Sequence, residues 1–303
     1  MKRSRSIHVA AAASAEALTE AEPCRLLALS DGEVSVVAHE LCDPLRPLLA
    51  VHLSSTAKGL RAAMQLALAE LRLQRQAAEA LAALWYQSPA WLRDAPALFL
   101  GQTYNRPLTL AHWKTIGHLI GCRALPRLEG LCIRGTDNGE EGVALLAAGL
   151  RRGGMPSLTR LVLAKAQIGE QGAAALATGL TKRALPALEM LYLSLNQIGD
   201  AGLAALAPAL RQLPRLEYLY LHSNQIGDRG LASLLAEPMQ GVLSSLQTLY
   251  LEDNQITDDG CAALASSLRN GALPALTELG VGGGSASQEA QAGLMAARSN
   301  LQL

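Results

Sequence analysis

A segment of 19 residues recurs along the last two thirds of the chain. Its clearest copies, LEMLYLSLNQIGDAGLAAL and LEYLYLHSNQIGDRGLASL, begin 28 residues apart. The opening leucine of this segment recurs six times, at Leu128, Leu158, Leu188, Leu216, Leu246 and Leu276, with steps of 30, 30, 28, 30 and 30 residues. A fixed period of this length indicates a repeat architecture, in which each unit packs only against its neighbours.

The outer copies depart most from the pattern. The copy from Leu128 reads LEGLCIRGTDNGEEGVALL, and the copy from Leu276 reads LTELGVGGGSASQEAQAGL. Terminal units of a stack are often atypical because they have a neighbour on one side only. A seventh, more degenerate unit is predicted from Leu98, since it closes with the same ALP that precedes later units at Pro186 and Pro274.

The first half of each unit predicts a short strand. In the unit from Leu188, the residues Leu188, Leu191 and Leu193 are expected on one side, while variable residues face the other way. Asn196 follows where the chain leaves the strand, and its short amide can hydrogen-bond to backbone groups there. Ile198 is expected to point inward again.

The second half predicts a helix. Gly199 permits a tight bend, and Asp200 is a good N-cap residue whose charge suits the positive end of the helix dipole. The apolar stripe that faces the strand follows at steps of three and four residues: Leu203, Leu206 and Leu210. Pro208 lies inside this stretch and is expected to shorten or kink the helix.

One strand and one helix cannot bury their apolar faces alone, so the units are expected to stack into a parallel sheet on the inside of a curve. The pattern LxxLxLxxNxIGDxG, present in three adjacent copies, resembles the leucine-rich repeat family and its ribonuclease-inhibitor-like class. The resemblance covers about residues 98–303. It implies an α/β solenoid of about seven units, shaped as a horseshoe with strands on the concave side and helices on the convex side.

Two further segments are predicted before the repeats. Residues 1–22 are basic and rich in serine and alanine, which is typical of a disordered tail or of an organelle-targeting segment. Residues 23–97 carry helical stripes and predict a small all-α module, with Trp85 and Trp91 packing its junction to the repeats.

The order of motifs in this module resembles an F-box: LALSDGEV from Leu27, LCDPL from Leu41 and LLAVHL from Leu48. The opening proline and the closing cysteine and tryptophan of many F-boxes are absent. The resemblance implies that residues 27–60 would bind the adaptor subunit of a ubiquitin ligase. The alternative is an unspecialised cap that shields the first strand.

The composition of the chain argues against some classes of partner. The chain has 26 basic and 26 acidic residues, so a net charge of zero argues against nucleic acid and acidic membranes as partners. No apolar run approaches the roughly 18 residues of a membrane span. The five cysteines are scattered and odd in number, which favours a reducing compartment and therefore an intracellular, cytoplasmic location.

No catalytic or metal-binding motif stands out. GVGGGS at Gly280 lacks the spacing of a dinucleotide loop, and AHELCD at His39 lacks the second histidine of a zinc helix. His112 and His118 are six residues apart, on opposite faces of a helix, and are interpreted as structural. We therefore predict a protein that is not an enzyme and uses no cofactor or metal.

The variable strand positions predict a binding face. Four of the six tyrosines, Tyr192, Tyr218, Tyr220 and Tyr250, fall on one concave patch with His222 beside them. Charge is ordered along the same face, with Arg160 and Lys165 in an early unit and Glu252 and Asp253 in a late one. Tyrosine is enriched at protein interfaces, and ordered charge orients a partner.

These nine residues are the predicted partner-binding set, and the predicted function is a non-catalytic scaffold for a protein partner. Tyrosine is also common in the LYL segment of this repeat class, where stacked rings can simply steady the sheet. Two other functions stay open: an F-box-like substrate receptor of a ubiquitin ligase, and a GTPase-activating or inhibitory regulator of a partner enzyme.

Overall fold

The computed structural model describes residues 75–84, 86–87, 89–102, 108–121, 123–236 and 243–297. The chain divides into two compact units, Met1–Trp91 and Leu92–Leu303. In the first unit, residues 75–83 are helical. The predicted tail 1–22, the F-box-like segment 27–60 and Trp85 lie outside the described residues, so the predicted domain boundaries stay predictions.

Helices and strands alternate along the described residues from Pro89 onward. In chain order the elements are α1 (Pro89–Asp94), β1 (Ala97–Leu100), α2 (Leu110–Gly121), β2 (Gly130–Arg134), α3 (Gly139–Arg152), β3 (Arg160–Ala164), α4 (Gly169–Gly179), β4 (Met190–Tyr192), α5 (Gly199–Leu210), β5 (Tyr218–Tyr220), α6 (Asp228–Leu235), β6 (Thr248–Tyr250), α7 (Asp258–Arg269), β7 (Glu278–Gly280) and α8 (Gln288–Ala296). Within the described residues the seven strands form one parallel sheet in the order β1 to β7. The predicted α/β solenoid fold is thereby confirmed.

The inward leucines of the strands form the core next to the sheet. The register pairs Leu98 of β1 with Leu131, and the same position continues through the sheet as Leu161, Leu191, Leu219, Leu249 and Leu279. Each of these side chains is at most 1 % exposed. Burying one leucine side chain contributes about 1.5–3 kcal/mol, so this row is a main source of stability.

A buried asparagine follows three successive strands, β4 to β6. The side-chain Oδ1 of Asn224 accepts a hydrogen bond from the backbone N–H of Asn196 at 2.9 Å, and the Oδ1 of Asn254 accepts one from Asn224 at 3.0 Å. The side-chain Nδ2 of Asn224 donates to the carbonyls of Leu193 and Leu221 at 2.9 and 3.0 Å. Each asparagine therefore satisfies backbone groups in its own unit and in the preceding one.

The expectation that Asp200 caps its own helix is wrong. Ile198 occupies the N-cap position of α5 and makes no side-chain capping bond. The Oδ1 of Asp200 instead accepts hydrogen bonds from the backbone N–H groups of Gly227 and Gly230, at the start of the next helix, α6. Asp200 already lies within the first turn of α5, and the unpaired N–H groups of the neighbouring helix are within its reach.

Pro208 does not shorten its helix as expected. Helix α5 has 12 residues, the same length as α7, which contains no proline. Pro208 removes one N–H group near the end of the helix, where the carbonyl that it leaves unpaired belongs to Ala204. Both residues are exposed, so water can hydrate this carbonyl.

Among the described helices, none combines the length and apolar character needed to cross a membrane.

Candidate binding site on the open face of the sheet

The face of the sheet that points away from the helices, here called the open face, carries two aligned columns of side chains. The parallel register gives the first column as Ala97, Gly130, Arg160, Met190, Tyr218, Thr248 and Glu278. It gives the second column as Phe99, Cys132, Val162, Tyr192, Tyr220, Tyr250 and Gly280. The variable strand positions that the repeat predicts on one face are therefore aligned from strand to strand across the sheet.

Three rings of the second column lie against one another. The ring centroids of Tyr192 and Tyr220 are 4.8 Å apart with the planes inclined at 23°, and those of Tyr220 and Tyr250 are 5.2 Å apart at 54°. The separations match the spacing of about 4.8 Å between neighbouring strands. All three residues are half-buried, so part of each ring stays accessible. We call Tyr192, Tyr220 and Tyr250 the tyrosine stack.

His222 is fixed beside the first ring of the tyrosine stack. Its Nε2 lies 3.2 Å from the hydroxyl of Tyr192, and its Nδ1 lies 2.9 Å from the hydroxyl of Ser194. The His222 and Tyr192 rings meet edge to face, with centroids 5.4 Å apart. Hydroxyls can donate or accept, so they can match either tautomer of the neutral ring. Both ring nitrogens have partners, which sets the orientation of the imidazole.

The other end of the tyrosine stack is acidic. Glu278 Oε2 accepts hydrogen bonds from the hydroxyls of Tyr250 and Thr248, both at 3.2 Å. Burial and then the charge of Glu278 raise the pKa of Tyr250 above its ordinary value. The pKa of Tyr220 is raised in the same way, first by burial and then by Glu278. Both phenols therefore stay protonated near neutral pH and keep their hydroxyl donors.

A shallow, open depression of about 390 Å³ lies over the tyrosine stack, and its lining is completed by His222, Glu252 and Asp253. A second depression, of about 340 Å³, lies against α4 and α5. Its lining, which includes Ala174, Pro208 and Gln212, has no ionisable side chain. Aromatic rings, an imidazole and two carboxylates offer far more for recognition, so the candidate site is the depression on the open face.

The structure brings together most, but not all, of the predicted partner-binding residues. Five residues besides Asp253 lie at the depression: Tyr192, Tyr220, Tyr250, His222 and Glu252. Tyr218 belongs to the first column and does not line it. Arg160 and Lys165 are exposed and lie at β3, three strands away from β6.

Two residues of the open face, Arg134 and Leu195, are not among the nine predicted partner-binding residues, although Arg134 belongs to the basic early end of this face in the sequence pattern. The guanidinium carbon of Arg134 lies 5.2 Å from the centroid of the Tyr192 ring, within the range of a cation–π contact. Leu195 is 49 % exposed, and its backbone φ of 62° lies in the left-handed region. The sequence distinguishes Leu195 because it is apolar, whereas the equivalent residues of the next two units are Ser223 and Asp253.

The residues expected to be structural have ordinary roles. The Nδ1 of His112 accepts a hydrogen bond from the backbone N–H of Thr109 at 3.2 Å, and burial lowers the pKa of His112. Cys132 and Cys261 are buried, and burial raises the pKa of Cys261. The described residues contain no cluster of three or more His, Cys, Asp or Glu side chains that could hold a metal ion.

Comparison with known proteins identifies the repeat. The family described as Leucine Rich repeat matches four segments, residues 154–177, 186–207, 213–235 and 242–265. No curated protein sequence matches the chain.

Two solved structures are similar in part. One is a protein from Bacteroides fragilis, with 17 % identity over 63 % of this chain and a TM-score of 0.39. The other is an internalin from Listeria monocytogenes, with 21 % identity over 71 % of this chain and a TM-score of 0.38. The chain spans 59 % and 62 % of the length of these two structures. The ribonuclease-inhibitor-like class stays a prediction. The four matched segments, each with its strand in the parallel sheet, make residues 154–265 a run of leucine-rich repeats.

Proposed function

We propose that this protein is a non-catalytic scaffold that binds a protein partner on the open face of its repeat sheet. The observation that carries the proposal is the tyrosine stack, whose three half-buried rings border one open depression. Tyrosine presents a large contact area at a small cost in side-chain entropy, and its hydroxyl adds hydrogen bonds. A contiguous group of such rings is suited to the centre of a protein interface.

The charges around the stack support an oriented complex. Arg160 and Lys165 lie on the side of the early strands, and Glu252 and Asp253 lie on the side of the late strands. Complementary charges mainly raise the rate of association and select the orientation of a partner. Tyr218 and His222 complete the proposed partner-binding set. No described residue favours a ubiquitin-ligase receptor or an enzyme regulator, so we propose neither.

The test is affinity purification with the full-length chain and with a variant that carries Tyr192→Ala, Tyr220→Ala and Tyr250→Ala. We expect the triple variant to lose the proteins that the original chain recovers, because the rings supply the contact area. Equal recovery by two folded proteins would refute the proposal.

Two control variants separate binding from folding. Tyr86→Ala removes a tyrosine that is 97 % exposed and outside the sheet, so it should leave recovery unchanged. Triple replacement by phenylalanine keeps the stacked rings while it removes the hydroxyls. If the rings only steadied the sheet, the alanine variant would unfold at lower temperature but would bind the same partners while folded.

A further inference from the structure

The tyrosine stack already holds a guanidinium group at one end. The Arg134 Cζ lies 5.2 Å from the Tyr192 centroid, on the side of the early strands. Arginine stacks on aromatic faces because its planar, delocalised cation is attracted to the negative face of the ring. This contact demonstrates that the rings of the second column can accommodate an arginine.

The opposite end of the stack carries carboxylates in place of a further ring. The second column continues from Tyr250 to Gly280, so no ring follows on β7. A Cβ atom at Gly280 would overlap the carboxylate of Glu252 and would lie 2.7 Å from Cδ1 of Tyr250. The missing side chain therefore leaves room for the Glu252 carboxylate beside the last ring, where it borders the depression.

Hydroxyl side chains contact the carboxylates at this end among the described residues. Among the described residues, no lysine or arginine forms an ion pair with Glu252, Asp253 or Glu278. The hydrogen bonds recorded for these carboxylates come from hydroxyls: Thr248 and Tyr250 donate to Glu278, and the Ser223 hydroxyl lies 3.5 Å from Asp253. Three acidic groups around half-buried rings give this end of the depression a negative potential that favours a cation.

We infer that the depression receives an arginine side chain from an extended segment of the partner. The guanidinium lies over the rings of Tyr220 and Tyr250 and donates hydrogen bonds to Glu252 and Asp253. Arginine fits better than lysine because it can stack on a ring and bond to a carboxylate with two N–H groups at once. This inference rests on the proposed function, since it names the chemistry that the same face would recognise.

The basic residues of the open face place a second requirement on the sequence of the partner segment. Arg160 and Lys165 lie at β3, three strands from Tyr250 on β6. With about 4.8 Å between strands, this separation is about 14 Å along the sheet. An extended segment rises about 3.3 Å per residue, so about four residues span the gap. The bound segment should therefore carry an acidic residue about four positions from its arginine.

The first experiment uses a library of random 12-residue linear peptides, selected against the full-length chain. We expect the enriched peptides to share an arginine with Asp or Glu about four positions away. Each enriched peptide is then tested with the Tyr192→Ala, Tyr220→Ala, Tyr250→Ala variant, which reports whether the tyrosine stack is the site. A peptide set that depends on the stack but lacks a basic residue overturns the arginine inference and leaves the proposed function standing.

The second experiment measures the affinity of one enriched peptide by fluorescence anisotropy. Replacing its arginine by glutamine, or making Glu252→Gln in the protein, should each weaken binding about tenfold or more. The matched control is Asp259→Asn, an exposed carboxylate on α7, which should leave the affinity unchanged. If Glu252 had only a structural role, Glu252→Gln would lower the affinity for the glutamine peptide and for the arginine peptide by the same factor.

A charge exchange completes the design. The Glu252→Arg variant should bind the arginine peptide poorly and should regain affinity for the same peptide carrying glutamate in place of arginine. Absence of this regain, with the variant folded, overturns the proposed contact with Glu252. If no peptide depends on the tyrosine stack, both the arginine inference and the proposed function fail for extended partners.

Discussion

Asp200 accepts a hydrogen bond from the backbone N–H of Gly230 at 2.9 Å, although the two residues belong to neighbouring helices. The same relation recurs in the next units. Asp228 accepts from the backbone N–H and hydroxyl of Thr257, and Asp258 accepts from those of Ser287. Each of these three units thus uses its aspartate to satisfy the helix start of the following unit, and this couples neighbouring units through specific polar contacts.

Replacing Asp200 by alanine should destabilise the repeat domain by about 1–2 kcal/mol, the cost of losing a good helix cap. The change leaves the N–H groups of Gly227 and Gly230 without their acceptor. Chemical denaturation followed by circular dichroism measures the change in the free energy of unfolding.

Asp259→Ala is the control for this prediction. Asp259 is an exposed residue in the first turn of α7, so its removal costs only a few tenths of a kcal/mol from the helix dipole. Asp200→Asn keeps one acceptor oxygen and should fall between the two. Equal stabilities for Asp200→Ala and Asp259→Ala would contradict the cap between units.

The repeat period predicted the sheet and its register because it repeats both the apolar positions and the chain length between them. The period alone therefore assigns Leu191 and Tyr192 to opposite faces of one strand. The capping role of Asp200 could not be predicted, because a cap within one helix and a cap on its neighbour require the same residue at the same position. That choice depends on how closely two helices pack, which the period does not encode.

The candidate site could likewise be predicted only in part. The tyrosine stack follows from the register, since three successive units place a tyrosine in the same column. The contacts of Arg134 and the placement of the Glu252 carboxylate against Gly280 depend on side-chain rotamers and on the size of neighbouring groups. The sequence predicted Glu252 and Asp253 at the late end of the face, but the distances between these side chains and the rings required the structure.

Gly260→Ala should destabilise the fold by about 1–3 kcal/mol, the usual cost of overpacking. A Cβ atom at Gly260 would overlap the carboxylate of Asp228 and would lie 2.9 Å from Cγ2 of Ile256. The overlap also displaces the carboxylate that bonds to Thr257. Thermal unfolding of the purified variant measures the loss.

The matched variant is Gly293→Ala. Gly293 lies within α8, and apart from its chain neighbours and the backbone of the same helix no atom lies within 4 Å of the added Cβ. Alanine in an open helical position should stabilise by about 0.5–1 kcal/mol. A destabilisation of similar size at both glycines would show that close packing is not the cause.

Asn224→Ala should cost about 3 kcal/mol or more, because it leaves several buried backbone groups without partners. The groups are the N–H of Asn196 and the carbonyls of Leu193 and Leu221. Urea denaturation should show the loss as a lower midpoint. Gln225→Ala truncates the exposed neighbouring side chain and should leave the midpoint nearly unchanged.

Leu195→Asn should stabilise the domain by about 1 kcal/mol. The left-handed backbone conformation of Leu195 costs a branched side chain about 1–2 kcal/mol, and asparagine tolerates it better. Leu195 is 49 % exposed, so little buried area is lost. Leu110→Asn, at a 39 % exposed helical position, should bring no such gain in thermal unfolding.

Deprotonation of Tyr250 should lower the stability of the domain at alkaline pH. Its pKa is raised in the folded state, first by burial and then by the charge of Glu278, so the folded protein holds the phenolic proton more tightly than the unfolded chain. This contribution is fully present below the ordinary pKa of about 10 and is lost as the pH rises through the folded value. Tyrosinate absorbance during a pH titration measures the pKa directly.

Comparison of two variants assigns the cause of this shift. Glu278→Gln should move the titration of Tyr250 back toward lower pH without restoring the ordinary value, since the effect of burial persists. Tyr250→Phe should remove this step from the titration and should reduce the alkaline loss of stability. An unchanged titration in Glu278→Gln would contradict the electrostatic coupling between Glu278 and the tyrosine stack, and with it the negative potential at this end of the open face.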